Sequence, residues 1–275
     1  MTAHGTAPEG PPEDVIRSDV PHSARIYNYW LGGKDHFEID RVVGRQVVEA
    51  EPDFVESMRE NRAFLGRMVD HLVRERGIRQ FLDIGTGLPT ADNTHQVAQS
   101  IAPDARVVYV DNDPLVLVHA RALLTSTPEG ATDYIDADMR DTDAIFAAAA
   151  RTLDFSRPVG VVMLGVFNHI ESDAEARALV DRIMGATCAG SHLAISVSTN
   201  VVKPENMDRA AAAYNQAFGN PPIYLMTPER LTGLFTGLEL VEPGVVTASR
   251  WFAPGTEPSG DRPEMDLFVG VARKP

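Results

Sequence analysis

The 275-residue chain sets 39 Asp and Glu against 25 Lys and Arg, a formal net charge of −14. That balance argues against nucleic acid or any other polyanion as a partner, because affinity for polyanions rests on Lys and Arg neutralising phosphates. Cys188 is the only cysteine, which excludes an intramolecular disulfide; with no paired His spacing, no metal is expected either.

Residues 1–13 are rich in Gly, Pro and small polar side chains and are expected to form a disordered tail. Residues 14–77 read as an N-terminal helical extension and 78–275 as one α/β domain. In the extension, helices are expected over 38–49 and 52–76. In the second of these Phe54, Met58, Phe64, Leu65, Met68, Val69, Leu72 and Val73 recur on one face and Gly77 provides the stop. Strands and helices then alternate: strand 80–84, helix 90–102, strand 106–111, helix 114–124, strand 132–136, helix 141–151, strand 159–166, helix 173–187 and strand 191–198. Near-continuous apolar strands such as Val159-Gly160-Val161-Val162-Met163-Leu164 imply a parallel sheet covered on both faces.

Helices 205–218 and 228–236 follow. Two strand-like runs then close the chain, 238–246 and 265–272, joined through the Pro/Gly-rich stretch 254–263 with no helix between them. Such strands pair antiparallel, so the expected fold is a Rossmann-like α/β layout with seven strands, mostly parallel, ending in an antiparallel hairpin. That is the layout of class I methyltransferases, whereas a nicotinamide-binding sheet more usually continues parallel. No run reaches the ~18 apolar residues of a membrane span, and the N-terminus lacks a signal-peptide pattern. A soluble, cytoplasmic protein without a membrane partner is therefore expected.

The chemistry concentrates at two strand tips. The run Phe81-Leu82-Asp83-Ile84-Gly85-Thr86-Gly87-Leu88-Pro89-Thr90 ends an apolar strand on a carboxylate and turns through paired glycines; Val107-Val108-Tyr109-Val110 ends on Asp111. Acid-tipped neighbouring strands make a nucleoside cradle in which the second acid can accept both ribose hydroxyls. A dinucleotide site needs a third glycine, where Thr90 stands, and Pro89 has no N–H for a phosphate. Asp83 adds negative charge near the turn. A cation that carries a ribose and no phosphate, S-adenosyl-L-methionine, fits these residues.

The segment Ala24-Arg25-Ile26-Tyr27-Asn28-Tyr29-Trp30-Leu31-Gly32-Gly33-Lys34-Asp35-His36-Phe37-Glu38-Ile39-Asp40-Arg41 resembles the signature of a bacterial S-adenosyl-L-methionine-dependent methyltransferase family first catalogued as a domain of unknown function. The resemblance runs on through Asn61-Arg62, the Asp83 turn, Tyr109-Val110-Asp111-Asn112-Asp113-Pro114 and Asp138 to the final hairpin. It implies a class I fold, with Asp83, Gly85 and Gly87 in the methionine-side turn, Asp111 as the ribose-binding acid and Asp138, with Met139 after it, at the adenine; Thr86 and Asn112 are further cofactor-binding candidates. Leu88-Pro89 departs from the superfamily pattern, in which another glycine is common.

Other residues admit two readings each. Tyr27, Tyr29, Trp30, Gly32 and Gly33 suit either a lid hinged at the glycines or a helix packing its aromatics inward and ending on a glycine cap. Asn168-His169 follows the fourth strand at the edge where open sheets bind ligands; His169 is the candidate base for an acceptor hydroxyl, or else a histidine bonded to nearby backbone. Trp251 and Phe252 either wall an acceptor pocket or cover the end of the sheet, and Cys188 reads as a buried small hydrophobe. The function expected is methyl transfer to an unidentified small molecule at oxygen, nitrogen or carbon. The alternatives are a catalytically silent binder of S-adenosylmethionine or its demethylated product, and an NAD-dependent oxidoreductase.

Overall fold

The central strands are apolar at almost every position because helices cover them on both faces. The computed structural model describes residues 17–89, 92–123, 125–217, 221–253, 255–256, 260 and 262–275; the tail 1–13, Thr90 and half of the 254–263 stretch lie outside them. Strands β1 (Gln80–Ile84), β2 (Arg106–Asp111), β3 (Ala131–Asp136), β4 (Gly160–Leu164) and β5 (His192–Ser198) run parallel, and β8 (Leu267–Arg273) is antiparallel to β5. With β6 (Glu239–Leu240), the order across the sheet is β3-β2-β1-β4-β5-β8-β6.

Side chains alternate between faces along each strand. Phe81, Val107, Tyr109, Val162 and Ala194 share one hydrophobic cluster with α3 (Phe54–Arg74), including its Phe64, Met68 and Leu72. Leu82, Val108, Val110, Val161 and Ile195 share a second cluster with residues of α6 (Thr142–Ala149), α7 (Asp173–Gly185) and α9 (Pro228–Leu234). Gly77, at φ +67, turns the chain out of α3 toward β1.

Two elements differ from expectation for local reasons. The run 238–246 is not one strand: β6 (Glu239–Leu240) and β7 (Val246–Thr247) pair with β8 at separate registers, giving eight strands in place of seven. Pro243, which has no N–H to donate, and Gly244, at φ +87, interrupt the run. The helix expected from residue 90 is α4 (Thr94–Ile101). Gln96 Oε1 accepts the Asn93 N–H at 2.8 Å, setting the start where that capping bond forms.

The N-terminal helices share the first cluster rather than standing apart from it. Ile26 and Trp30 of α1 (Ser23–Trp30) and Val43 and Val47 of α2 (Glu38–Ala50) are buried with Phe64 and Phe81, and burial of each large apolar side chain contributes roughly 1.5–3 kcal/mol. Helix α2 packs along α8 (Pro204–Ala217), while α5 (Pro114–Leu123) lies against β3. Cys188 is half-buried, not buried. No helix among the described residues is long and apolar enough to cross a membrane.

Candidate active site

The carboxyl ends of β1, β2 and β4 open into a cavity of about 490 Å³, roofed by residues of α1, α2, α3 and α8. Its size lies in the roughly 300–1,000 Å³ range of small-molecule sites. Asp83, Gly85, Thr86, Gly87, Asp111, Asn112, Asp138, Met139, Asn168, His169, Tyr27 and Trp30 all line it. Tyr29, Gly32 and Gly33 are not among its lining residues. Gly32, at φ +77, ends α1, and a Cβ on Gly33 would lie 2.4 Å from the Asn28 amide. Tyr29 packs on His36. These glycines therefore have local steric reasons, and α1 has its aromatics packed inward: Trp30 Nε1 donates to Gly44 O at 3.1 Å and its ring meets Phe54 edge-on.

Asp83 is buried at the tip of β1, where its Oδ2 accepts the Thr94 hydroxyl at 2.6 Å. Burial pushes its carboxyl up to about 6; Thr94 and the Arg62 guanidinium oppose the rise and nearby Asp111 adds to it. Burial likewise raises Asp111, against the two backbone N–H groups that its oxygens accept: Gly87 at 2.7 Å on Oδ2 and Asp113 at 3.0 Å on Oδ1. Gly85 N–H donates to Val110 O at 2.7 Å, which pulls the turn back over β2. Only glycine fits there, since φ is +74 and a Cβ would sit 2.1 Å from Val166 Cγ1.

On the adenine side proposed from sequence, Asp138 Oδ1 accepts Arg140 N–H at 2.8 Å, and Arg140 in turn bonds Glu175 and His169 O. After β4 the chain turns at Gly165, φ +74, into a short 3-10 turn, Phe167–His169. The Asn168 side chain is used structurally: Nδ2 donates to Ser198 O at 3.0 Å and Tyr224 O at 2.7 Å, while Oδ1 accepts Ser198 N–H at 2.8 Å. His169 Nδ1 lies 3.2 Å from Pro222 O. A carbonyl can only accept, so Nδ1 carries the proton and Nε2 keeps its lone pair. Burial lowers the pKa of this imidazole, favouring the neutral form.

Trp251 and Phe252 do not line the cavity. Trp251 is fully buried against Phe64, and Phe252 lies under the Arg67 and Arg262 guanidinium groups, which is the sheet-covering reading. Among the described residues no group of three or more His, Cys, Asp or Glu is arranged to hold a metal ion. His22, Met207 and Tyr214, cavity residues, had no place among the candidates, and Asn61 and Arg62, also in the cavity, entered only as part of the family resemblance. A signal existed for one pair: Asn61 and Arg62 are polar where the α3 stripe of Met58 and Leu65 faces inward. His22 had none, since it reaches the site only through α1 docking, with Nδ1 3.0 Å from Asp113 Oδ2.

Residues 9–275 match the model of a family described as S-adenosyl methyltransferase. A DUF574 family protein from Streptomyces avermitilis MA-4680 superposes with a TM-score of 0.88 at 42% identity, covering 94% of this chain and 99% of its own. A protein from Thermobifida fusca YX, described as a methyltransferase candidate, gives 0.84 at 38%, covering 96% and 98%. The plantazolicin methyltransferase BpumL, solved in complex with S-adenosylhomocysteine, shares the fold at 12% identity, with a TM-score of 0.52 and coverage of 92% and 95%. No curated protein matches the chain. The family match over nearly the whole sequence, joined by two extensive relatives, places this chain in the S-adenosyl methyltransferase family, with S-adenosyl-L-methionine as its cofactor.

Proposed function

We propose that the protein is an active enzyme that transfers a methyl group from S-adenosyl-L-methionine to an oxygen, nitrogen or carbon atom of a small molecule. The observation that carries this reading is the pair of buried carboxylates, Asp83 and Asp111, at adjacent strand tips in a cavity that also contains His169. Buried carboxylates are unfavourable without compensating charge or donors. An ammonium at Asp83 and a diol at Asp111 supply both. Each Asp111 oxygen already accepts one N–H, and a carboxylate has about four lone-pair sites, so acceptor capacity remains for two ribose hydroxyls.

When bound, the cofactor supplies an electrophilic methyl group on a positively charged sulfur. Gly85, Thr86 and Gly87 bound its methionine side, Asn112 flanks the ribose, and Asp138 and Met139 take the adenine. Arg62, whose charge reaches Asp83, offers a cation to the cofactor carboxylate. His169 is the base where the acceptor is a hydroxyl: its Nε2 takes the proton while Nδ1–H stays on Pro222 O. Asn168 braces the turn that presents it. The helices of residues 17–77 act as a cover, with Tyr27 and Trp30 excluding water from a site in which orientation can contribute about 7–11 kcal/mol.

The test is incubation of the full chain with methyl-labelled cofactor and a bacterial metabolite extract, read by mass analysis, alongside calorimetry with S-adenosylhomocysteine. Label transfer to an extract component is expected. Tight S-adenosylhomocysteine binding with no transfer in any extract would favour the silent binder, and stabilisation by NAD in its place would favour the oxidoreductase. Asp111→Ala is expected to weaken S-adenosylhomocysteine about 30-fold, as two hydrogen bonds of about 1 kcal/mol each are lost; unchanged affinity in a folded variant contradicts the ribose assignment.

A further inference from the structure

The cavity divides by chemistry. Its ionised side chains belong to the strand tips and the turns that follow them, or, like Arg62, face them: Arg62 Nη2 donates to Asp92 O at 3.0 Å in the β1–α4 turn and its charge acts on Asp83. The part roofed by α1, α2, α8, the first turns of α3 and residues 221–225 is lined by neutral groups, among them Trp30, Phe54, Met58, Met207, Tyr214 and Leu225. A charged acceptor in this lobe would lose its hydration and find at its edge one cation, Arg62, whose charge acts on Tyr27 but is already set against Asp83. The net charge of −14 further disfavours anions.

One polar side chain in the wall has a fixed role. Asn61, 5% exposed, lines the cavity. Tyr27 Oη lies 3.2 Å from Met58 O, to which it can only donate, and it therefore accepts from Asn61 Nδ2 at 3.3 Å. This chain fixes the amide orientation and leaves Oδ1, which has no hydrogen-bond partner among the described residues, able only to accept. A buried acceptor left unmatched is unfavourable, and a ligand donor would relieve it.

We infer that the methyl acceptor is an uncharged, largely apolar small molecule that presents one hydroxyl or N–H donor to Asn61 Oδ1. This rests on the methyltransferase reading, and S-adenosylhomocysteine binding alone tests that reading separately. The probes are three compounds on one ring system: 2-naphthol, its methyl ether 2-methoxynaphthalene, and 2-naphthoate, titrated into the full chain saturated with S-adenosylhomocysteine. 2-Naphthol is expected to bind, the ether about five- to tenfold more weakly for want of a donor, and the carboxylate about 100-fold more weakly or worse. In Asn61→Leu the naphthol-to-ether ratio should fall to about one while S-adenosylhomocysteine affinity is unchanged. Naphthoate binding as tightly as naphthol, no binding of any probe at millimolar concentration, or a loss of S-adenosylhomocysteine affinity in Asn61→Leu would each overturn the inference. The wild-type probe series decides the charge argument whether or not the variant folds.

Discussion

Burial holds the Asp83 carboxyl near 6, so its ionised form is disfavoured in the ligand-free protein. The folded pKa lies above the unfolded value of about 3.8, so the penalty is absent below pH 4, develops as pH rises through 6 and is complete above it. Asp83→Asn should therefore stabilise the ligand-free protein at pH 7.5, by at most about 3 kcal/mol for two pKa units, and give no gain at pH 4. The same change should weaken S-adenosylmethionine more than tenfold, since it removes the charge proposed to face the ammonium. Denaturation at the two pH values with calorimetry checks both halves; a variant less stable than wild type at pH 7.5 contradicts the burial argument. The neighbouring glycines separate strain from clash. Gly85 and Gly87 both have positive φ, but only a Cβ on Gly85 meets Val166. Gly85→Ala should lose about 2–6 kcal/mol from backbone strain and overpacking together, and Gly87→Ala about 1–3 from strain alone. Part of the Gly85→Ala loss should return when Val166→Ala is added, as read by chemical denaturation.

Among the elements, α1 is joined to the cofactor half of the cavity by a buried guanidinium. Arg25 Nε lies 3.7 Å from both Asp40 Oδ2 and Asp113 Oδ2, and its terminal nitrogens donate to Arg17 O and Val20 O. Asp113 N–H in turn bonds Asp111, so the docking of α1 and the placement of Asp111 share residues. Arg25→Ala removes the cation shared by two buried carboxylates, which keep only their N–H donors and His22, and should destabilise by about 3–5 kcal/mol, with a measurable loss of S-adenosylhomocysteine affinity. Destabilisation without any change in affinity would separate α1 from the cofactor site. A second tie closes the roof: Lys203 bonds Glu51 at 3.0 Å and also Asp53, and Asn206 Nδ2 donates to Glu51 at 2.8 Å, fastening α2 to α8.

At the scale of the molecule, the N-terminal helices and the sheet share one hydrophobic cluster, so ligand binding at their junction should stabilise the whole chain. S-Adenosylhomocysteine at ~100 times its dissociation constant should add about 2.7 kcal/mol, equivalent to a Tm rise of roughly 5–10 °C for a chain of this size. NAD at the same concentration should give none. Two separate thermal transitions, only one of them moved by ligand, would show that residues 14–77 unfold apart from the rest.

The strands β1 to β5, the helices between them and the two acid tips were legible in the sequence, because their signals are local: near-continuous apolar runs on a doubly covered sheet, glycine-paired turns, and carboxylates where those runs stop. The split into β6 and β7 was foreshadowed by Pro243-Gly244, but the separate registers depend on β8, more than twenty residues away. The sequence by itself determined the fold class and the cofactor, since both follow from the order of elements and from charge at adjacent strand ends. Tertiary structure alone decided that His22, Asn61 and Tyr214 meet in one cavity, that Asn168 is consumed as a brace, and that Trp251 is core. Each of these depends on contacts between segments far apart in the chain, whose direction no local periodicity encodes.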